Sequence, residues 1–470
     1  MGPRAPRSKT SFGSPANLPL DPLTPPPAHA FGEGFLWGAA TASHQVEGGN
    51  RNNDWWRWEQ LPGKIKNGDR SGAACEHYTR FREDFDMLAG MGHNAHRLSL
   101  EWSRIEPRRG EFDSAALGHY REVLGALRDR GMTPMVTLHH FTNPTWLADI
   151  GGWENDQVVA AFRTYTRHCV EALGDLVSLW VTINEPNVYA YQCYTVGLWD
   201  PEKKDFPSAG RVLRHMVRAH AAAYREIRES AHGPAAKVGV AQHLRVFQPY
   251  HGWSPLDRLA AAFPQQAFNH WFLRACENGR AGFPLGFGQK IPEAIGTMDF
   301  IGVNYYSRDM VTFTPRTPGA LFSRTFAAPG RPISDIGMEI YPAGFHAVLT
   351  ETWRAYGRPI YITENGVADS IDQFRRQALV SHLAELGRAQ RDGVDIRGYM
   401  HWSSMDNFEW SEGYSMRFGL IEVDFATQER RPRPSARLYS EIIARNGLDW
   451  ELLQEHYPSG LPYFVGRAAG

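Results

Sequence analysis

The chain has 470 residues, 42% hydrophobic and 21% charged, with 50 basic against 51 acidic side chains and a formal net charge of −1. It is too apolar for a disordered chain, and without a long block of one sign it offers no electrostatic footprint for nucleic acid or an anionic membrane. No run of about 18 apolar residues exists to span a bilayer. The four scattered cysteines (Cys75, Cys169, Cys193, Cys276) form no Cys-x-x-Cys pair and read as reduced thiols, so a cytoplasmic location is expected.

Residues 1–30 hold Arg4, Arg7 and Lys9 and then a Pro-rich run ending at Pro27, with no apolar segment after the basic residues. They read as a disordered extension and not as a standard secretory signal, ahead of one catalytic domain over residues 31–470. An Arg-containing, acid-poor start leaves an organellar targeting segment open. From Phe31 onward, short apolar runs predict strands at Phe35–Ala39, Ala95–Ser99, Met135–Leu138, Leu179–Ile183, Val238–Ala241, Phe300–Val303, Ile360–Thr363 and Gly398–His401. Segments with three- and four-residue apolar spacing predict helices at Val158–Leu173, Val212–Arg228 and Phe374–Gln390.

Eight strands, each followed by a helical stretch, argue for an α/β fold, a single (β/α)8 TIM barrel, although a doubly wound open sheet would also alternate. The polar residues tip the balance. Gln45, Arg97, His139-His140, Asn184-Glu185, His243, Asn304 with Tyr306, Glu364-Asn365 and Trp402 all fall at or just past the C-terminal end of a predicted strand. Barrel enzymes build their sites from that rim. The long segments 187–208 and 305–339, rich in Gly, Pro and aromatic residues, would be the rim loops that wall it. Neither a Gly-x-Gly-x-x-Gly after the first strand nor a Walker-type Gly-Lys-Ser/Thr occurs, so dinucleotide and nucleotide readings lose their support.

Two carboxylates stand out, Glu185 in WVTINEP (180–186) and Glu364 in IYITENG (360–366). Singly, each reads more simply as a helix cap or a solvated loop charge. Together, each at a strand end and flanked by Asn and a strand-breaking Pro or Gly, they match what glycoside hydrolysis needs. One acid must protonate the leaving oxygen, and one carboxylate must face the developing oxocarbenium ion.

These segments, with FLWGAATASHQVEG (35–48), RLSLEWSRI (97–105) and WSSMDNFEW (402–410), occur in one order and spacing. In them the chain resembles the family 1 glycoside hydrolases, the β-glucosidase and β-galactosidase group, from Phe31 to Gly466. The resemblance implies a retaining exo-β-glycosidase with Glu185 as acid/base and Glu364 as nucleophile. It would work through a covalent glycosyl-enzyme, with carboxyl groups about 5–5.5 Å apart. It further implies that Arg97 and Tyr306 hold the nucleophile. Gln45, His140, Asn184, Asn304, Glu409 and Trp410 would bind the sugar, over Trp402 as platform. Glucosides, galactosides and fucosides are the implied substrates, and transfer of the glycosyl unit to alcohols fits the same residues.

Glu409 disfavours 6-phosphorylated sugars, whose dianion it would repel, and Glu185 stands where the thioglucosidase branch has Gln. Two departures, Phe141 after the strand-three His and Met338 in place of a Trp platform, leave the aglycone open. A non-catalytic binding protein of this fold is expected to lack one or both Glu residues, and an aldolase would need a strand-end Lys. His139-His140 has no third ligand at metal spacing, so no metal and no cofactor are expected. The expected partner is a small-molecule β-glycoside, with no nucleic acid and no membrane; assembly into a homo-oligomer is left open.

Overall fold

The computed structural model describes residues 29–317, 322–448 and 450. Eight strand–helix units follow one another. They are β1 Leu36–Ala40 and α1 His77–Gly90, β2 Ala95–Ser99 and α2 Ser114–Asp129, β3 Thr133–His139 and α3 Gln157–Leu173, and β4 Leu179–Asn184 and α4 Phe206–Glu229. The second half comprises β5 Lys237–Pro249 and α5 Trp271–Asn278, β6 Phe300–Phe313 and α6 Pro342–Tyr356, β7 Ile360–Asn365 and α7 Phe374–Arg391, and β8 Ile396–Trp402 and α8 Pro434–Arg445. Each strand pairs in parallel with the next. β8 returns to β1, with Gly398 opposite Leu36 and Trp402 opposite Ala40, so the sheet is a closed barrel and not an open one.

The strands are buried on both faces, which is why their sequences are continuous apolar runs and not alternating ones. Ala95, Met135, Leu179, Val181, Phe300 and Met400 form a small cluster on the strand faces that also carry Arg97 and Thr137, and it fills the barrel below them. A larger cluster joins the outer strand faces to the helices. α3, for example, buries Val158, Phe162, Tyr165, Cys169 and Leu173 at three- and four-residue spacing. Side chains of Asp113 and Asp205 accept backbone N–H groups at the starts of α2 and α4, and Gly357, at φ +59°, ends α6. All four cysteines are buried and unpaired. No helix among the described residues is long and apolar enough to cross a membrane.

His29–Ala30 pair antiparallel with Gly447–Leu448, so paired backbone already begins ahead of residue 31, where the sequence suggests that the barrel domain starts. Residues 1–28, which carry the rest of the expected extension, and 451–470 lie outside the described residues. At the rim β6 runs on as a hairpin with Ser323–Phe326. The loop that follows is fastened where Arg308 donates to Glu339 at 2.6 and 3.0 Å, with both side chains buried. Arg308 also donates to Gln248 at 2.8 Å. Glu339→Ala leaves that guanidinium buried without its counter-charge, and a loss of roughly 3–5 kcal/mol in denaturant unfolding is expected. A loss below about 1 kcal/mol would show that the loop is held by other contacts.

Candidate active site

Glu364 ends β7 and is buried. Its Oε1 accepts from Arg97 Nη1 at 2.6 Å and its Oε2 from the Tyr306 hydroxyl at 2.7 Å, so both oxygens are fixed. Arg97 is 1% exposed and is itself held: Nε donates to Thr137 Oγ1 at 3.1 Å and Nη2 to Asn184 Oδ1 at 2.7 Å. Such charge-assisted contacts turn the carboxylate toward one direction only. Gly366, two residues on, must be Gly, because a Cβ there would lie 1.8 Å from the Trp402 carbonyl oxygen. That close approach seats the end of β7 against the end of β8.

Glu185 follows β4 with a left-handed backbone (φ 43°, ψ 58°), and Pro186 then opens a short helix. That conformation is costly for a residue with a Cβ and turns the side chain back over the barrel mouth. Its Oε1 accepts from Asn304 Nδ2 at 2.8 Å and lies 3.1 Å from His243 Nδ1. Asn304 also donates to Asn184 Oδ1 at 3.1 Å, so β2, β4, β6 and β7 are tied into one polar network.

Burial, with the charge of Glu185, pushes the Glu364 carboxyl up to about 7, against the pull of Arg97 and the Tyr306 hydroxyl. Burial acts on Glu185 too, but His243, the Asn304 amide and Arg245 together hold it below its ordinary value. The pull from His243 has full strength only on an imidazolium, and burial, followed by Arg245, keeps the His243 pKa low against Glu185 and Asp309. A neutral imidazole gives a hydrogen bond without a charge, whereas the guanidinium that faces Glu364 brings a full positive charge. With His243 neutral, a proton shared by the two carboxyls therefore belongs on Glu185 and the negative charge on Glu364.

Beside this pair, Gln45 Nε2 donates to Asn407 Oδ1 and the Phe408 carbonyl at 3.0 Å and to Glu409 Oε2 at 3.3 Å. Its Oε1 is buried with no partner among the described residues. His140 Nε2 accepts from Asn184 Nδ2 at 3.1 Å, which puts the ring proton on Nδ1, a buried donor that is likewise unpartnered. Unpaired buried polar atoms are costly, and these two fit a ligand that brings its own hydroxyls. The His140 ring lies 6.0 Å from both Trp402 and Trp410, 20° from parallel to each. Burial and the charge of Glu364 push Glu409 up to about 8, against hydrogen bonds from Trp402 and Gln45. The loop carrying Glu409 is anchored by buried Asp406, which Arg433 contacts at 2.9 and 2.7 Å.

All eleven residues singled out in the sequence thus gather at one barrel mouth. Phe141 is buried against Trp410 and Trp199, at 5.2 Å from each, and Met338 is half-buried beside Tyr306 and Phe418. The sequence pattern gives no role to His243, Arg245 or Asp309, which together support Glu185. Their signal was the continuation of β5 past the rim, where His243, Arg245 and Phe247 recur at two-residue spacing.

The pattern of Glycosyl hydrolase family 1 matches residues 28–448. The chain belongs to that family. A β-glucosidase A from Thermotoga maritima is 36% identical over 447 residues, 89% of this chain and 99% of that protein. A β-galactosidase from Pyrococcus woesei is 32% identical, covering 90% and 99%. A solved β-glycosidase from Pyrococcus horikoshii superposes with a TM-score of 0.84 at 39% identity, covering 92% of this chain and 98% of the other. This family 1 protein is accordingly an O-glycosyl hydrolase of the β-glucosidase type.

Proposed function

We propose that this enzyme is an exo-acting, retaining β-D-glycosidase in which Glu364 is the nucleophile and Glu185 the acid/base. The observation that carries the reading is the unequal treatment of the two carboxyls. Glu364 has both oxygens held by cation and phenol, whereas Glu185 has two donors on Oε1 and no protein partner on Oε2 among the described residues. Glu364 attacks the anomeric carbon as the bond to the leaving oxygen breaks, and Glu185 delivers its proton to that oxygen. The glycosyl ester of Glu364 carries no charge, so Glu185 no longer faces a carboxylate when it loses its proton, and it can then deprotonate water. Water displaces Glu364 from the opposite face, and the β configuration is retained.

Gln45, His140, Asn184, Asn304, Glu409 and Trp410 line the sugar recess over Trp402. Glucose, galactose and fucose are the glycones proposed, since the similar proteins include a β-glucosidase and a β-galactosidase. An alcohol in place of water gives transglycosylation by the same steps. A cytoplasmic setting is proposed from the four buried, unpaired thiols. Trapping with a 2-deoxy-2-fluoro-β-glucoside and peptide mapping tests the nucleophile. The label is expected on the peptide holding Glu364, and label elsewhere would overturn the assignment.

A further inference from the structure

Two residues beyond the catalytic pair carry unused chemistry. His243 Nε2 lies 3.0 Å from Arg245 Nε, an atom that can only donate. Nε2 is therefore the acceptor, and the ring proton must sit on Nδ1, which faces Glu185 Oε1 at 3.1 Å. Arg245 cannot swing away easily, because Nη1 is paired with Asp309 Oδ2 at 3.1 Å and the guanidinium lies 5.7 Å from the Phe268 ring centre. A second proton on His243 would point at a guanidinium N–H.

We infer that His243, locked as a neutral Nδ1–H donor by the Arg245–Asp309 pair, is a positioning residue that saturates Oε1 of Glu185 together with Asn304 and so directs the catalytic proton onto Oε2. The inference rests on the reading of Glu185 as acid/base. The other ionisable groups facing Glu185 are Tyr306 from β6, Glu364 from β7, Arg97 from β2 behind it, and Glu409 from the loop after β8. None of them occupies Oε1. Burial, the largest influence on His243, acts in the same sense as the lock, by disfavouring its charged form.

The consequence is a division of labour on one carboxyl. Oε1 takes donors that stabilise the ionised form needed in the second step. Oε2 keeps the proton needed in the first. The falling, high-pH limb of kcat/KM marks loss of that proton from the carboxyl pair.

In His243→Phe the ionised form loses a charge-assisted hydrogen bond, worth about a tenfold factor in the ionisation equilibrium. The limb is expected to move to higher pH, so that kcat/KM on the native falling limb, scaled to each enzyme's maximum, rises about tenfold. His243→Asn keeps an amide donor near Oε1 and is expected to keep the limb in place. In Arg245→Met the ring can take the proton from Glu185, so kcat/KM on an alkyl β-glucoside is expected to fall about tenfold more than on a dinitrophenyl β-glucoside. A limb that stays put in His243→Phe, or an equal loss on both substrates in Arg245→Met, overturns the inference. Glu185→Ala separates the layers: if it alone discriminates between leaving groups, only the positioning role fails; if it too costs both substrates equally, the acid reading falls with it.

Discussion

Glu364→Gln is expected to abolish turnover, with kcat on an aryl β-glucoside falling on the order of 10⁵-fold or more, as for removal of a covalent nucleophile. The amide is isosteric and its oxygen can still accept from Arg97, so the barrel should fold. The stability readout is more telling. The buried Glu185–Glu364 pair shares a proton in the folded protein, where burial and like charge push a carboxyl up to about 7, so the pair binds more protons there than in the unfolded chain between the ordinary carboxyl value and about pH 7. Stability contributed by that group is present at low pH and declines as pH rises through this window. The amide cannot ionise, so the variant's Tm should gain on the parent's more at pH 8 than at pH 4. A Tm difference independent of pH would show that Glu364 is not held against its charge. A gain that grows with pH would mean that the enzyme trades stability for a nucleophile that the fold keeps ready, as functional sites do.

Glu185→Ala is the second large effect, and its signature is selectivity. Alkyl glucosides, whose alkoxide leaves only with a proton, are expected to lose roughly 10²–10⁴-fold in kcat/KM, the usual contribution of a general acid. Dinitrophenyl glucosides, whose phenolate leaves unaided, should form the glycosyl-enzyme at nearly the native rate and then stall, because no base activates water. A burst of dinitrophenol followed by a slow steady state is the expected trace, and added azide should quicken the slow phase with a β-glycosyl azide as product. Equal losses on both substrates with no burst would remove Glu185 from the acid role.

The barrel was legible because its strands are short apolar runs buried on both faces, and all eight lie where those runs fall, with β3, β5, β6 and β8 extending furthest beyond the apolar cores. β5 and β6 outrun their patterns because they continue beyond the barrel as a paired ribbon, in which Phe247 faces Asp309 and solvent-side residues need not be apolar. Glu185 and Glu364 were legible as a pair through their strand-end positions and the motifs around them. The geometry that distinguishes them was not. Which oxygen of Glu185 is engaged depends on the Arg245–His243 contact and on Asn304 reaching across from β6, and such distances are set by tertiary packing. The protonation of Glu409 was hidden for the same reason, since burial beside Glu364, and not residue type, pushes it up to about 8.

The short pairing of His29–Ala30 with Gly447–Leu448 has a practical corollary. Strand β1 begins just after His29–Ala30 and helix α8 ends just before Gly447–Leu448, so this clasp lies on the barrel face opposite the mouth that holds Glu185 and Glu364. Among the described residues, the chain therefore enters and leaves the barrel on the side away from the catalytic opening, and the sugar entrance is built without either junction.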